Sequence, residues 1–491
     1  MRGPRSEPAS RVRALALFLI LLLAAAVRCY EPAREGLWLD EAMSVRFARM
    51  PLADILTMPP AREYNPPLYY ALLHAWVGVW GEGETAVRSL SIVLGIAAVW
   101  LLYRVGRLLL GTEGGLVAAL LLAASPYHVY YSQEARNYAL LVALSLASME
   151  SFWRVLRGGG PGAQAAYVVS STLLFYTHAH AVFVLAVPVL YVLGLRARAR
   201  GTRPAGLRRW LQLEGLLAVL AGAWAGPFLA RVADHQRGFW IARPSWRVLG
   251  TALAQYAGSA VALLVMSTAA AAETVRGLAG GEPADAASGR AESPGLLLAL
   301  WALLPLLAPF LLSLVMTPFF LVRASIAALP ALHLVTARAL GRLPRAALRW
   351  GVVAVVVAVS LVDQWRYFHV LGKEQWREAA AWVQSVAEPG DLVAVDAGHG
   401  QPGFDHYATR ADLARLAAHE DLATPAGARE LVAALAGSDR VFVVRFQRPV
   451  DHEAVRRAVG EGWGLRDYRA FVGLTVYQFQ RKEPGHGALP H

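Results

Sequence analysis

The 491-residue sequence has a single cysteine, Cys29. That excludes an intramolecular disulfide and a zinc site built from several thiolates. Charge is also scarce: 17% of the residues are charged and 56% are hydrophobic, with a mean hydropathy of +0.40. Such a balance excludes an ordinary soluble protein and points to many membrane crossings. There is no Walker-type phosphate loop and no His-Glu-x-x-His. Neither ATP nor a nucleotide-sugar donor is therefore expected. The net charge of +12 does not indicate nucleic acid, because the arginines gather at the ends of hydrophobic runs, where they orient helices in a bilayer.

What the chain does have is long apolar runs. A helix needs about 20 apolar residues to cross the hydrocarbon core. Eleven spans are placed near 14–30, 86–108, 114–131, 137–156, 164–179, 181–195, 210–230, 249–272, 295–316, 318–338 and 350–369. Arg2, Arg5, Arg11 and Arg13 precede the first run as in a signal peptide, but no Ala-x-Ala-like site follows, so an uncleaved first span is expected. These arginines hold the N-terminus in the cytoplasm. Arg104, Arg107, Arg154, Arg157, the acid-free run from Arg196 to Arg209, and Arg338 to Arg349 fall on the same side. The apolar stretch Leu68–Trp80 is too short to cross and is read as an outer interfacial or re-entrant helix. Residues 273–294, rich in Gly, Ala, Ser and Pro, read as a linker.

After Lys373 the pattern changes. Trp376–Val386 has amphipathic helical spacing, and 391–396, 441–446 and 474–479 read as strands. Helical patterns fall near 409–418, 426–436 and 452–459. The expected architecture is mainly α: a transmembrane core over 1–372 and a small extracytoplasmic α/β domain over 373–491.

Polar residues collect on the side predicted to be outside. Asp40 and Glu41 stand side by side in the apolar frame Gly36-Leu37-Trp38-Leu39-Asp40-Glu41-Ala42. A carboxylate there suits a general base, and equally suits the first turn of a helix. Tyr64 and Asn65-Pro66-Pro67 follow, then Tyr127 to Tyr138 with Glu134 and Arg136, then Tyr176, His178 and His180, with Arg323 later. Ionisable residues at membrane depth are costly and are usually functional or paired. Asp396, His399, Asp405 and His406 invite a metal site, but their Gly-rich surroundings read better as an exposed loop before a helix.

Several of these stretches together resemble bacterial glycosyltransferase family 39, the protein O-mannosyltransferase-like branch of the type-C membrane glycosyltransferases, related to the aminoarabinose lipid A transferases. They are Trp38-Leu39-Asp40-Glu41-Ala42, Asn65-Pro66-Pro67-Leu68-Tyr69-Tyr70, Ser125-Pro126, Tyr131-Ser132-Gln133-Glu134-Ala135-Arg136-Asn137-Tyr138-Ala139-Leu140 and Tyr176-Thr177-His178. The family often has His where Asn65 stands, and its usual Arg-Tyr is Arg323-Ala324 here. The resemblance covers about residues 10–340. It implies a polyprenyl-phosphate-linked sugar donor, a lipid, glycan or protein acceptor, and inverting transfer on the outer face of the cytoplasmic membrane. By motif Asp40 takes the catalytic acidic position, with Glu41 beside it, and Glu134 the second acidic position. Arg136, Tyr138 and Arg323 are assigned to the donor and its phosphate, and Tyr64, Asn65, Tyr69 and His178 to the acceptor or the roof. A divalent cation on Asp40 and Glu134 is compatible with this chemistry and not required by it, since arginines supply positive charge. A flippase of lipid-linked sugars is the rival, but no internal repeat of the kind transporters carry is visible.

Overall fold

In a computed structural model, residues 7–59, 63–198, 207–236, 241–278, 293–370, 372–396, 400–418, 421–422, 424–447 and 451–482 are described. The chain divides into two compact units. One, mostly helical, comprises Met1–Tyr30, Pro51–Gly81 and Ala86–His369. The other, built on a sheet, comprises Glu31–Met50, Glu82–Thr85 and Val370–His491, so the Asp40 segment is part of it.

All eleven expected runs are helical, though several are broken. Among the described residues six helices are long and apolar enough to cross a membrane, or eight when each bent pair is one span. The helix Glu84–Ala124 is counted once in that figure, yet its backbone leaves helical geometry at Gly111, with φ at +84°. A Cβ added to Gly106 would sit 2.6 Å from the Gly115 Cα. In a straight helix those residues would lie about 13 Å apart. The element is therefore a helical hairpin, matching the two runs expected at 86–108 and 114–131, and its arms close only because both contact residues lack a side chain.

Leu207–Gly222 and Ala225–His235 meet at 66°, and Trp246–Ala257 and Ala260–Arg276 at 109°. The second bend turns at Gly258, with φ at +79°. The straight span expected at 249–272 is thus corrected to a sharply broken pair. The run at 318–338 begins as a 3-10 turn, Val322–Ala328, before the helix Leu329–Gly341. Leu68–Trp80 is a 13-residue helix, about 20 Å long, which is short of the hydrocarbon thickness. The expected linker at 273–294 starts inside a helix, Ala260–Leu278, and its residues 279–292 lie outside the described ones.

In the sheet unit β1 (Leu392–Val395), β2 (Ala414–Ala417), β3 (Arg440–Phe446), β4 (Trp463–Phe471) and β5 (Leu474–Arg481) pair in the order β2-β1-β3-β5-β4. The β1 pairs are parallel, and β5 is antiparallel to β3 and β4. Val393, Val395, Phe442 and Val444 pack on one face with Trp376 and Phe404, while Leu392, Ala394, Val441 and Val443 pack on the other with Leu431 and Val455. This is strand alternation with both faces covered, as a parallel sheet needs. The helices Trp376–Val386, Pro425–Ala434 and His452–Val459 lie where expected. Two strands were not expected. The helical pattern at 409–418 is in fact β2, whose Ala-Arg-Leu-Ala residues favour a helix but pair along β1. β4 is an edge strand with an exposed face bearing Arg466, Asp467 and Arg469, which removes its hydrophobic signal.

Candidate active site

Asp40 and Glu41 occupy the first turn of the helix Leu39–Ala48 in the sheet unit. They differ in environment. Glu41 is fully buried, its Oε2 lying 3.4 Å from the Lys373 ammonium and accepting the Trp38 N–H at 3.4 Å. Asp40 is half-buried, and its backbone carbonyl accepts the Ser44 hydroxyl at 2.9 Å. Glu41 is therefore a helix-start acceptor and ion-pair partner, which leaves Asp40 as the more accessible carboxylate for proton transfer.

A second polar cluster lies at one end of the helical unit. Arg136 is buried, donates to the Tyr70 hydroxyl at 3.1 Å, and lies 3.7 Å from Glu63. The other Glu63 oxygen accepts the Asn65 N–H at 2.8 Å and its Nδ2 at 2.9 Å. Tyr69 is wholly buried; its hydroxyl shares a hydrogen bond with Ser91, which also donates to the Arg136 carbonyl. The Asn-Pro-Pro-Leu-Tyr-Tyr segment thus braces Arg136 from both side chain and backbone. The Leu68 N–H reaches the Tyr176 carbonyl at 3.1 Å, and Asn137 Nδ2 reaches the Thr177 carbonyl at 2.9 Å. His178 accepts the His180 N–H at 3.0 Å, and its ring lies 6.0 Å from that of Tyr138.

Arg136 and Arg323 both act electrostatically on His178, and Glu134 and Arg323 both act on Tyr131. Glu134, Arg136, Tyr138, His178 and Arg323 therefore share one region of the helical unit. Tyr64 belongs at its margin, donating to Asp234 at 3.0 Å; burial and that carboxylate push its phenol up. Asp234 is followed by His235, which lies 3.1 Å from the Pro318 carbonyl.

Sequence reasoning does not place Glu63 or Arg28 at the site, and Tyr70 stands in the Asn65–Tyr70 motif without an assigned role. Arg28 reads as a charge at the end of the first span, but it is fully buried. Its guanidinium bonds Ser132, His128 and the carbonyls of Ala24, Ala123 and Leu122. This pins the first helix beneath the Gln133-Glu134 loop, and it makes His128 structural. The helical repeat of the first span, which turns Arg28 toward the face carrying Ala24, was the available signal.

No glycine-rich dinucleotide loop is expected after a strand, yet one Gly-x-Gly-x-x-Gly spacing does follow β1. Gly398-His399-Gly400-Gln401-Pro402-Gly403 follows β1 and leads into the helix Gln401–Tyr407, a spacing associated with dinucleotide binding. His399 and Gly398 lie outside the described residues. Gly403 has a packing role: a Cβ there would lie 2.6 Å from the Trp376 ring. The neighbouring carboxylates are engaged, Asp396 with Arg445 at 2.9 Å and the Leu422 N–H at 2.8 Å, and Asp405 with Gln401 and Arg415. Among the described residues no group of three His, Cys, Asp or Glu side chains is arranged to hold a metal.

Residues 64–224 match the family model for dolichyl-phosphate-mannose-protein mannosyltransferase. No curated protein sequence matches. Among solved structures, ArnT from Cupriavidus metallidurans in the apo state is similar with a TM-score of 0.65 at 14% identity, over 96% of this chain and 98% of that one. ArnT bound to undecaprenyl phosphate gives 0.63 at 14% identity, over 94% and 97%. The Archaeoglobus fulgidus oligosaccharyltransferase complex with Zn and sulfate gives 0.53 at 13% identity, over 94% and 72%. The fold is that of the type-C membrane glycosyltransferases, as the resemblance to family 39 implied, and the chain is an integral membrane protein.

Proposed function

We propose that this chain is a membrane glycosyltransferase. It moves a sugar from a polyprenyl phosphate to an acceptor hydroxyl, with inversion, on the extracytoplasmic face of the cytoplasmic membrane. The acceptor oxygen attacks the anomeric carbon as the bond from that carbon to the phosphate oxygen breaks. The acceptor proton passes to Asp40, and the polyprenyl phosphate leaves with the bonding pair. A phosphate is stable as it departs, so the leaving oxygen needs positive charge more than a proton. Arg136 and Arg323 supply it, and Glu134 positions the donor.

The observation that carries this proposal is the clustering of Arg136, Arg323 and Glu134 at one polar end of a fold shared with a protein that binds undecaprenyl phosphate. Glu63 and Tyr70 hold the Arg136 fork in place, so little ordering is left for the moment of reaction. The test is mass spectrometry of membrane lipids and surface glycans from cells with and without the protein. Loss of one glycan and accumulation of one polyprenyl-phosphate sugar would support transfer and identify donor and acceptor. An unchanged glycan profile would overturn it. A flippase would instead leave the lipid-linked sugar on the cytoplasmic leaflet when the protein is removed.

A further inference from the structure

At the start of the helix that carries Asp40, Glu41 accepts the Trp38 N–H at 3.4 Å, which leaves the Leu39 N–H to be met from elsewhere. The N-cap position is Trp38, whose side chain offers no acceptor, where Ser, Thr, Asp or Asn would normally receive the first free N–H groups. The acceptor for that group comes from far along the chain: the Leu39 N–H donates to Glu374 Oε2 at 3.1 Å, across 335 residues. The same oxygen accepts Trp376 Nε1 at 2.8 Å, and Gln447 Nε2 donates to the other at 3.1 Å. Trp376 is fully buried in the sheet core against Phe446, so Glu374 is anchored there.

Two residues earlier the Leu37 N–H donates to the Tyr407 hydroxyl at 2.5 Å, and that hydroxyl donates in turn to Glu84 at 3.1 Å. Arg377 donates to the carbonyls of Ala33 at 3.2 Å and Arg34 at 2.8 Å, and the Lys373 N–H reaches Glu35 at 3.1 Å. With Lys373 on Glu41, contacts from two parts of the sheet unit, residues 373–377 and Tyr407, hold the chain on both sides of Asp40.

We propose that the sheet unit is a remote cap for the Asp40 helix, with Glu374 and Tyr407 as positioning residues that set the direction of the Asp40 carboxylate. This rests on the function proposed for Asp40. An ordinary local cap would have served helix stability alone. A cap drawn from the sheet core fixes position as well, and an acid–base group gains most from fixed position. The acceptor on Glu374 matters here, and its charge does not.

The experiment uses the full-length protein in nanodiscs and in cells lacking the native gene. Hydrogen–deuterium exchange of the peptide spanning 33–41 reads the cap directly, and the yield of the glycan lost from those cells reads turnover. Glu374→Ala should speed exchange in that peptide about tenfold, the effect of losing one half-buried acceptor, and should lower glycan yield by a similar factor. Glu374→Gln keeps an acceptor oxygen and should restore both. Tyr407→Phe keeps the ring, loses the acceptor for Leu37, and should reproduce the Ala effect should Glu374→Ala fail to fold. Wild-type exchange and yield in Glu374→Ala and Tyr407→Phe would overturn the proposal, as would failure of Glu374→Gln to restore them. Asp40→Asn run alongside separates the two ideas. A normal yield there removes the assigned role of Asp40, whereas a dead Asp40→Asn beside a normal Glu374→Ala and Tyr407→Phe removes only the cap.

Discussion

The two ends of the helical unit use charge differently. At the end rich in arginine, three acids are matched to cations at short range. Glu150 joins Arg104 and Arg154, both at 2.7 Å; Glu273 joins Arg338 at 3.3 Å and Arg342 at 2.6 Å; Glu113 pairs with Arg349. Several of these partners are exposed, and such pairs contribute about 0–1 kcal/mol each. At the other end Arg136 is buried against Tyr70, with Glu63 at 3.7 Å, and His178 and Glu134 are buried beside it. Holding charge out of water costs stability, and it is retained where it acts on a ligand. One end orients and ties helices; the other has the composition of a reaction site.

Substitutions should widen that contrast. The largest effect is expected in the sheet unit, at Asp40→Asn, where turnover should fall about 10²- to 10⁴-fold, the usual contribution of a general base, with normal protein levels in the membrane. Next come Arg136→Ala and Arg323→Ala at the polar end, each lowering turnover about 10²-fold by removing charge that meets the departing phosphate. Lysine at either position should recover only part of this, because a point charge does not reproduce the planar fork. Initial rates across donor concentrations would check both. At the opposite end Glu113→Gln should shift stability by no more than about 1 kcal/mol and leave turnover alone, as thermal unfolding and the same rate assay would show. A large rate loss there would erase the contrast between the ends.

The smallest expected effect is a pH dependence in the sheet unit. Burial, then Arg49, depress His406 below the ordinary histidine range, against the pull of Glu84, Glu82 and Glu41. Between its lowered folded value and about 6.5 the unfolded chain binds more protons, so stability is present above that window and is lost as pH falls through it. His406→Asn should flatten the decline in melting temperature between about pH 7 and pH 5; an unchanged slope would assign it elsewhere.

Much of the helical unit was legible because a membrane span announces itself in one continuous run. Leu68–Trp80 and the hairpin at Gly111 follow from run length and glycine alone. The bend at Gly258 was not legible, since one glycine in an apolar run does not say whether the helix breaks there. β2 and β4 were hidden because edge strands are specified by backbone pairing more than by side-chain pattern. At the site, Glu134, Arg136, Tyr138, His178 and Arg323 could be named from motifs, and they do share a region. Glu63 could not, and neither could Glu374 or Tyr407, whose partners lie 335 and 370 residues away. Contacts that distant leave no local trace in composition or spacing.

The central claim is a division of labour, with Arg136 and Arg323 holding phosphate and Asp40 handling the proton. Equilibrium binding of undecaprenyl phosphate to the full-length protein in nanodiscs tests it most directly, comparing wild type, Asp40→Asn and Arg136→Ala. The account predicts that Asp40→Asn binds within about twofold of wild type while Arg136→Ala binds about tenfold more weakly, the worth of one charge-assisted contact. Wild-type binding by Arg136→Ala, or loss of binding by Asp40→Asn, would contradict it.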